Sequence, residues 1–149
     1  AEKPSFRSGL RHRRCLVPAT GFYEWTGAPG AKQPHHMTPR GGGRVMALGG
    51  VWEHWLGADG SEMESMAILT VAANAAMQHI HDRMPLIIQP DAFERWLDCR
   101  PGSANVVEDL LQPAPNDFLN ATRVSRKLNN VRSEGPGLLS DEEDSPRLL

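Results

Sequence analysis

Apolar positions along this chain read mostly as short extended segments between Gly- and Pro-rich turns, and follow helical spacing in only a few places. Near the start, Phe6 and Leu10 lie four residues apart, with Arg7 and Arg11 on another stripe. Pro4 suits a first helical turn, so a short helix is expected over 4–12. Residues 15–18 and 22–25 read as extended segments joined by a bend at Ala19-Thr20-Gly21. Residues 27–34 and 39–43 carry the Gly and Pro of turns, and 35–38 between them suits a short strand.

A long strand is expected over 45–55, with Gly49-Gly50 marking a bulge or a close backbone approach. Residues 56–64 read as a polar hairpin loop. The apolar run 66–72 reads as a central strand. Asn74 can cap a short helix through Ile80, and 85–89 suits a brief strand. Pro90 opens an amphipathic pattern with Phe93, Trp96 and Leu97, and Ser103 can cap a second helix bearing Val106, Val107, Leu110 and Leu111. A late strand is expected over 118–125. From Ser140 onward the chain is acidic, and disorder is expected there. No internal repeat is present. The sum is α+β, strand-rich, with short helices.

Composition narrows the class. A chain of 149 residues, 40% hydrophobic and 23% charged, suits one soluble domain with a real core. No apolar run approaches the roughly 18–20 residues of a membrane span. The first fourteen residues are polar and basic, unlike a signal peptide. Cys15 and Cys99 lie far apart, which argues against a disulfide framework or a cysteine zinc site and suits a reducing cytoplasm. The net charge of −2 conceals an asymmetry. Lys3, Arg7, Arg11, Arg13 and Arg14 face only Glu2 at the start, while Asp141, Glu142, Glu143 and Asp144 face only Arg147 at the end. A basic face suited to a polyanion follows.

Two segments carry candidate chemistry. Gly21-Phe22-Tyr23-Glu24-Trp25 sets one carboxylate in an aromatic run, and on a strand Glu24 shares a face with Phe22, opposite Tyr23 and Trp25. Desolvation would fit that acid for proton transfer; a half-exposed strand carboxylate is the plainer alternative. His79-Ile80-His81-Asp82-Arg83-Met84-Pro85 packs imidazole, carboxylate and guanidinium into a stiff loop, with a surface turn as the alternative. His35, His36, His54 and the His79-x-His81 pair lack the committed spacing of zinc sites, so no metal and no other cofactor is expected. Cys15, in an apparent strand, suits a small buried hydrophobe better than a nucleophile. The basic start, with Trp25, Trp52 and Trp55, offers charge and stacking surfaces for unpaired bases.

Several ordered motifs resemble the SOS response-associated peptidase family, the SRAP domain. They are Glu2-Lys3-Pro4-Ser5-Phe6-Arg7, Arg13-Arg14-Cys15-Leu16-Val17-Pro18-Ala19, Gly21-Phe22-Tyr23-Glu24-Trp25 and Lys32-Gln33-Pro34. Further along come Ala47-Leu48-Gly49-Gly50-Val51-Trp52, Leu69-Thr70-Val71-Ala72-Ala73-Asn74, Ile80-His81-Asp82-Arg83-Met84-Pro85, then Val124-Ser125 and Asn129-Asn130.

The resemblance implies an α+β fold around a curved, barrel-like β-structure. It implies a monomer, with no membrane, that binds single-stranded DNA and captures abasic sites covalently through an N-terminal cysteine exposed by self-cleavage. It implies action on DNA in the cytoplasm, at the nucleoid. Glu24 matches the family's active-site glutamate and His81 its histidine. Thr70 matches a position that contacts DNA, and Arg83 and Arg13 are expected at phosphates. The family's Met-Cys-Gly-Arg start and its Asn-Ala-Arg-x-Glu segment are absent. The expectation is therefore the C-terminal part of one domain over 1–139, with an acidic tail over 140–149. A non-catalytic single-strand-binding module, or an inactive remnant of the family, is the alternative.

Overall fold

The computed structural model describes residues 4–42, 44–101 and 103–140. It is mixed α+β, mostly strands with few short helices, and no closed barrel forms among the described strands. Helix α1 (Pro4–His12) leads into β1 (Arg14–Ala19), β2 (Phe22–Thr26), β3 (Gln33–Pro39) and the long β4 (Met46–Leu56). β5 (Glu62–Ile68), β6 (Thr70–Ala72), β7 (Arg83–Pro85) and β8 (Ile87–Ile88) follow. Then come a 3-10 turn over Pro90–Ala92 that runs into α2 (Phe93–Leu97), a 3-10 helix over Ser103–Leu110, β9 (Leu119–Arg123) and two further 3-10 turns.

Three antiparallel sheets form among the described residues. β1, β4 and β5 form the first in that order, with β8 also on β4; β2, β3 and β9 form the second; β6 and β7 form a ribbon. Alternation along β4 gives the first sheet two buried faces. Met46 and Leu48 join Met37, Met77, Ile80, Met84 and Leu119 in one core. Gly49 faces the other core, built from Leu86, Ile88, Trp96 and Val107.

Gly49 is a matter of space. An added Cβ would lie 2.9 Å from Leu86 Cδ2, 3.1 Å from Trp96 Cζ2 and 3.2 Å from Ile88 Cγ1. Leu86 and Trp96 are fully buried. Gly49→Ala is expected to cost about 1–3 kcal/mol by overpacking, read by urea denaturation. An unchanged midpoint would contradict that reading of the core.

Three expectations need correction. The run 66–72 is not one central strand. It breaks at Leu69, whose N–H donates to the Gly49 carbonyl (2.9 Å) while its own carbonyl accepts from Leu86 N–H (2.8 Å). Gly49 N–H closes the ring on Leu86 O at 2.8 Å. The chain there leaves the first sheet and starts the β6–β7 ribbon. Upstream of the break, β5 extends into the expected polar loop and pairs with the outer half of β4 as a projecting hairpin, leaving Trp52, Trp55, Met63 and Met66 exposed. The expected helix from Asn74 is a set of turns, although Asn74 does accept Met77 N–H at 2.9 Å.

The other expected elements appear within a few residues of their predicted bounds, shortened at α2 and tightened to 3-10 geometry at Ser103–Leu110. Lys3, the Arg7 side chain and the acidic residues 141–149 lie outside the described residues.

Candidate active site and nucleic-acid interface

The segment presenting His81 is held from below. Met77, Ile80 and Met84 are buried at 1%, 7% and 0% exposure, and they leave His79, His81, Asp82 and Arg83 outward. Asn74 ties the same loop to the next one, donating through Nδ2 to the carbonyls of Ala114 (2.9 Å) and Pro115 (3.2 Å). The apolar spacing thus buries every third or fourth side chain and aims the polar ones at solvent.

The His81 ring is held through Nδ1. This nitrogen accepts the Arg83 backbone N–H at 2.9 Å, so the neutral ring carries its proton on Nε2. Asp82 Oδ1 lies 3.2 Å from Nδ1 and the Arg83 carbonyl 3.0 Å.

Thr70 and Arg83 are brought together across the β6–β7 ribbon. Arg83 Nε and Nη2 donate to Thr70 Oγ1 at 3.3 and 3.0 Å, and Nη2 also donates to the Thr70 carbonyl. The pair lines a cleft of about 310 Å³ with Leu10, Leu69 and Leu111. Both side chains are exposed, so the fixed guanidinium can meet an anion at the cleft mouth.

Glu24 lies on β2, in the second sheet. The register places it opposite His35 on β3, which lies opposite Arg123 on β9. Paired residues share a face, and this face also carries Phe22, Met37 and Leu119 of the core. Glu24 is half-buried there, and no described residue forms a hydrogen bond or ion pair with its carboxylate. On the opposite face Tyr23 stacks on His36 at 4.9 Å, and Trp25 Nε1 donates to Asn129 Oδ1 at 2.8 Å.

Sequence reasoning treated His35 only as a metal ligand and missed Arg123 and Arg126. No single-strand pattern marks them; the pairing of β3 with β9 places Arg123, and Gln33 on β3 holds Arg126. Buried Gln33 Oε1 accepts from Arg123 Nη2 (3.2 Å) and Arg126 Nε (3.0 Å), so one amide steers two guanidinium groups. His35 Nε2 lies 3.0 Å from Thr26 Oγ1. Burial first, then the charges of Arg123 and His79, lower the His35 pKa from the ordinary 6.5.

A pH effect follows. The unfolded imidazole takes a proton near 6.5, while the folded one resists until lower pH. The stabilising difference is therefore full above 6.5 and is lost as pH falls through the lowered folded value. Thermal midpoints of the parent are expected to drop more steeply below pH 6.5 than those of His35→Asn. Parallel slopes would contradict it.

Arg13 is engaged elsewhere. Its Nη2 pairs with Glu53 Oε2 at 2.7 Å and its Nε donates to the Trp52 carbonyl at 3.2 Å, at the root of the projecting hairpin. None of its described contacts is with Thr70, His81 or Arg83. Cys15 is half-buried on β1, and burial raises its pKa, which suits packing rather than nucleophilic attack. No group of three or more metal-ligating side chains occurs among the described residues. Among them no helix is long and apolar enough to cross a membrane.

This arrangement has relatives. The family model for SOS response associated peptidase (SRAP) matches residues 1–131. The chain belongs to the SRAP family. The SRAP relative YoqW of Bacillus subtilis, named an abasic site processing protein, is 34% identical over 140 residues, covering 93% of this chain and 62% of that protein. Chicken HMCES, given the same descriptive name, is 32% identical over 149 aligned positions, covering 87% of this chain and 44% of HMCES. A crystal structure of a protein from Bacteroides thetaiotaomicron superposes with a TM-score of 0.82 at 27% identity, covering 94% of this chain and 61% of that one. The SRAP chain described here spans about three fifths or less of the length of these relatives.

Proposed function

We propose that this chain forms the catalytic and DNA-contacting part of an SRAP domain that senses abasic sites in single-stranded DNA. In the complete domain an N-terminal cysteine, exposed by self-cleavage, captures the ring-opened sugar. The observation that carries the reading is the family match over residues 1–131, which spans Glu24, Thr70, His81 and Arg83. The Thr70–Arg83 clamp and the outward-facing His81 imidazole support it.

The cysteine α-amine, partly neutral at physiological pH, attacks the sugar aldehyde, forming a C–N bond as the carbonyl π bond breaks. Glu24 accepts a proton from nitrogen and returns it to the alkoxide oxygen, giving a carbinolamine. His81 donates a proton to that hydroxyl, which leaves as water, and Glu24 takes the second nitrogen proton, giving a neutral imine. The thiol then adds to the imine carbon and its proton passes to nitrogen, closing a five-membered thiazolidine ring. Thr70 and Arg83 hold the flanking phosphate, and Arg123 and Arg126 add to the attractive field.

The test uses the complete protein and an oligonucleotide with one abasic site. A heat-stable protein–DNA product is expected with the abasic strand and not with an intact one. Salt-sensitive binding with no covalent product would overturn the capture reading and leave a DNA-binding module.

A further inference from the structure

Among the described residues, one buried side-chain nitrogen or oxygen has no hydrogen-bond partner: Gln89 Nε2. Buried polar groups are nearly always paired, so an orphaned amide donor marks a place where an acceptor belongs. Gln89 follows β8 and lines two cavities. In the second cavity the cation is already committed, since Arg95 donates through two nitrogens to the Asp109 carboxylate. The first is different. It has a volume of about 340 Å³, and Arg40, Arg44, Phe93, Asp117 and Phe118 join Gln89 in its wall. Arg40 spends Nε on the Leu119 carbonyl (3.3 Å), which fixes its guanidinium plane, and no described residue pairs with Arg44.

We propose that this cavity is a nucleotide-binding site, separate from Glu24 and His81, that takes one nucleoside monophosphate unit. The two phenyl rings offer apolar contact to a base. The Gln89 amide donates to an acceptor on the base edge, and Asp117 accepts from an amino or sugar hydroxyl group. Arg40 and Arg44 receive the phosphate. The volume lies at the small end for ligand sites, which suits one nucleotide rather than two. The unit comes either as a free nucleotide or as one residue of a DNA strand, with the same contacts.

The test titrates this chain with 2′-deoxynucleoside 5′-monophosphates, followed by NMR shifts of the Gln89 side-chain amide and the Phe93 and Phe118 rings. Saturable binding is expected, with both the deoxynucleoside and inorganic phosphate about tenfold weaker. Arg44→Ala is expected to weaken binding about tenfold, and Gln89→Leu by a similar factor. Gln89→Leu is also expected to keep or raise the thermal midpoint, because it removes an orphaned donor; a merely structural role would lower it. A trinucleotide that shifts the same residues with equal or greater affinity assigns the unit to a strand, and exclusion of the trinucleotide assigns it to free nucleotide. No saturation at ~10 mM, equal binding of inorganic phosphate, or undiminished binding by Gln89→Leu would overturn the proposal.

Discussion

Arg14→Met is expected to lower the stability of the fold by about 3 kcal/mol, read as a fall in the denaturation midpoint at constant slope. Arg14 opens β1 and is 3% exposed. It donates through Nε to the Trp96 carbonyl at 2.5 Å, through Nη1 to the Leu10 carbonyl at 2.6 Å, and through Nη2 to the Asp98 carbonyl. Those acceptors lie at the C-terminal ends of α1 and α2, where helix carbonyls have no partner of their own. The guanidinium also stands 5.8 Å over the Trp96 ring. One cation thus satisfies two helix ends and pins them to the first sheet.

Methionine matches the length but offers no donor. About two carbonyls would stay buried and unpaired, at about 1–3 kcal/mol each. Arg14→Lys is expected to recover roughly half, because a single ammonium reaches one helix end but not both. The loss should also reach the Thr70–Arg83 cleft, since Leu10, near the end of α1, forms part of its wall. Equal midpoints for Met and the parent would remove this account of how the helices are held.

The same residue shows what a sequence conceals. Arg14 sits in a run of basic residues that reads as a solvated or polyanion-binding face, yet it is the most buried charged side chain described. Arg13, beside it on the opposite face of the strand, is the one at the surface. Alternation predicts that one of the two points inward, but nothing in the chain says that helix carbonyls wait there. The local elements were legible where a single strand or helix determines them: α1, β1 to β4 and β9 follow from period and turn residues. The split of 66–72 was not, because a hydrogen-bonded ring through Gly49, Leu69 and Leu86 decides it, and those residues are distant in sequence.

The site divides in the same way. The sharing of a face by Glu24 and Phe22 was readable from alternation, and the stiffness of the His81 loop from Pro85. His35 opposite Glu24 and Arg123 opposite His35 were not, since only the β2–β3–β9 register aligns them, and Arg126 joins them only through Gln33. The roles expected for Arg13 and Arg83 also part company. Arg83 is fixed at an open cleft by Thr70, whereas Arg13 is paired with Glu53. Charge counted along a sequence cannot separate a guanidinium that is spent from one that is offered.

In the complete protein, Glu24→Gln and His81→Ala are each expected to slow abasic-site capture about 100-fold, while leaving strand affinity within about threefold. That factor equals about 2.7 kcal/mol of barrier. Glutamine keeps the shape of Glu24 and removes only the proton acceptor. It is a clean probe because no described residue is bonded to that carboxylate and none would be stranded. Alanine at 81 removes the ring but leaves the loop anchored by Met77, Ile80 and Met84, so the backbone should hold. In the proposed mechanism the two residues serve consecutive proton transfers, so the double variant should lose much less than the product of the single effects. Hydrolytic reversal of the product traverses the same transition states and should slow by the same factors. Arg83→Ala separates binding from chemistry: it should weaken affinity and reduce the salt slope by about 0.7, with little change in the rate for bound DNA. If Glu24→Gln and His81→Ala both capture at the parental rate, neither group moves a proton in the reaction. If instead they fail only because binding is lost, their place is at the phosphates with Arg83, and another acid must protonate the leaving oxygen.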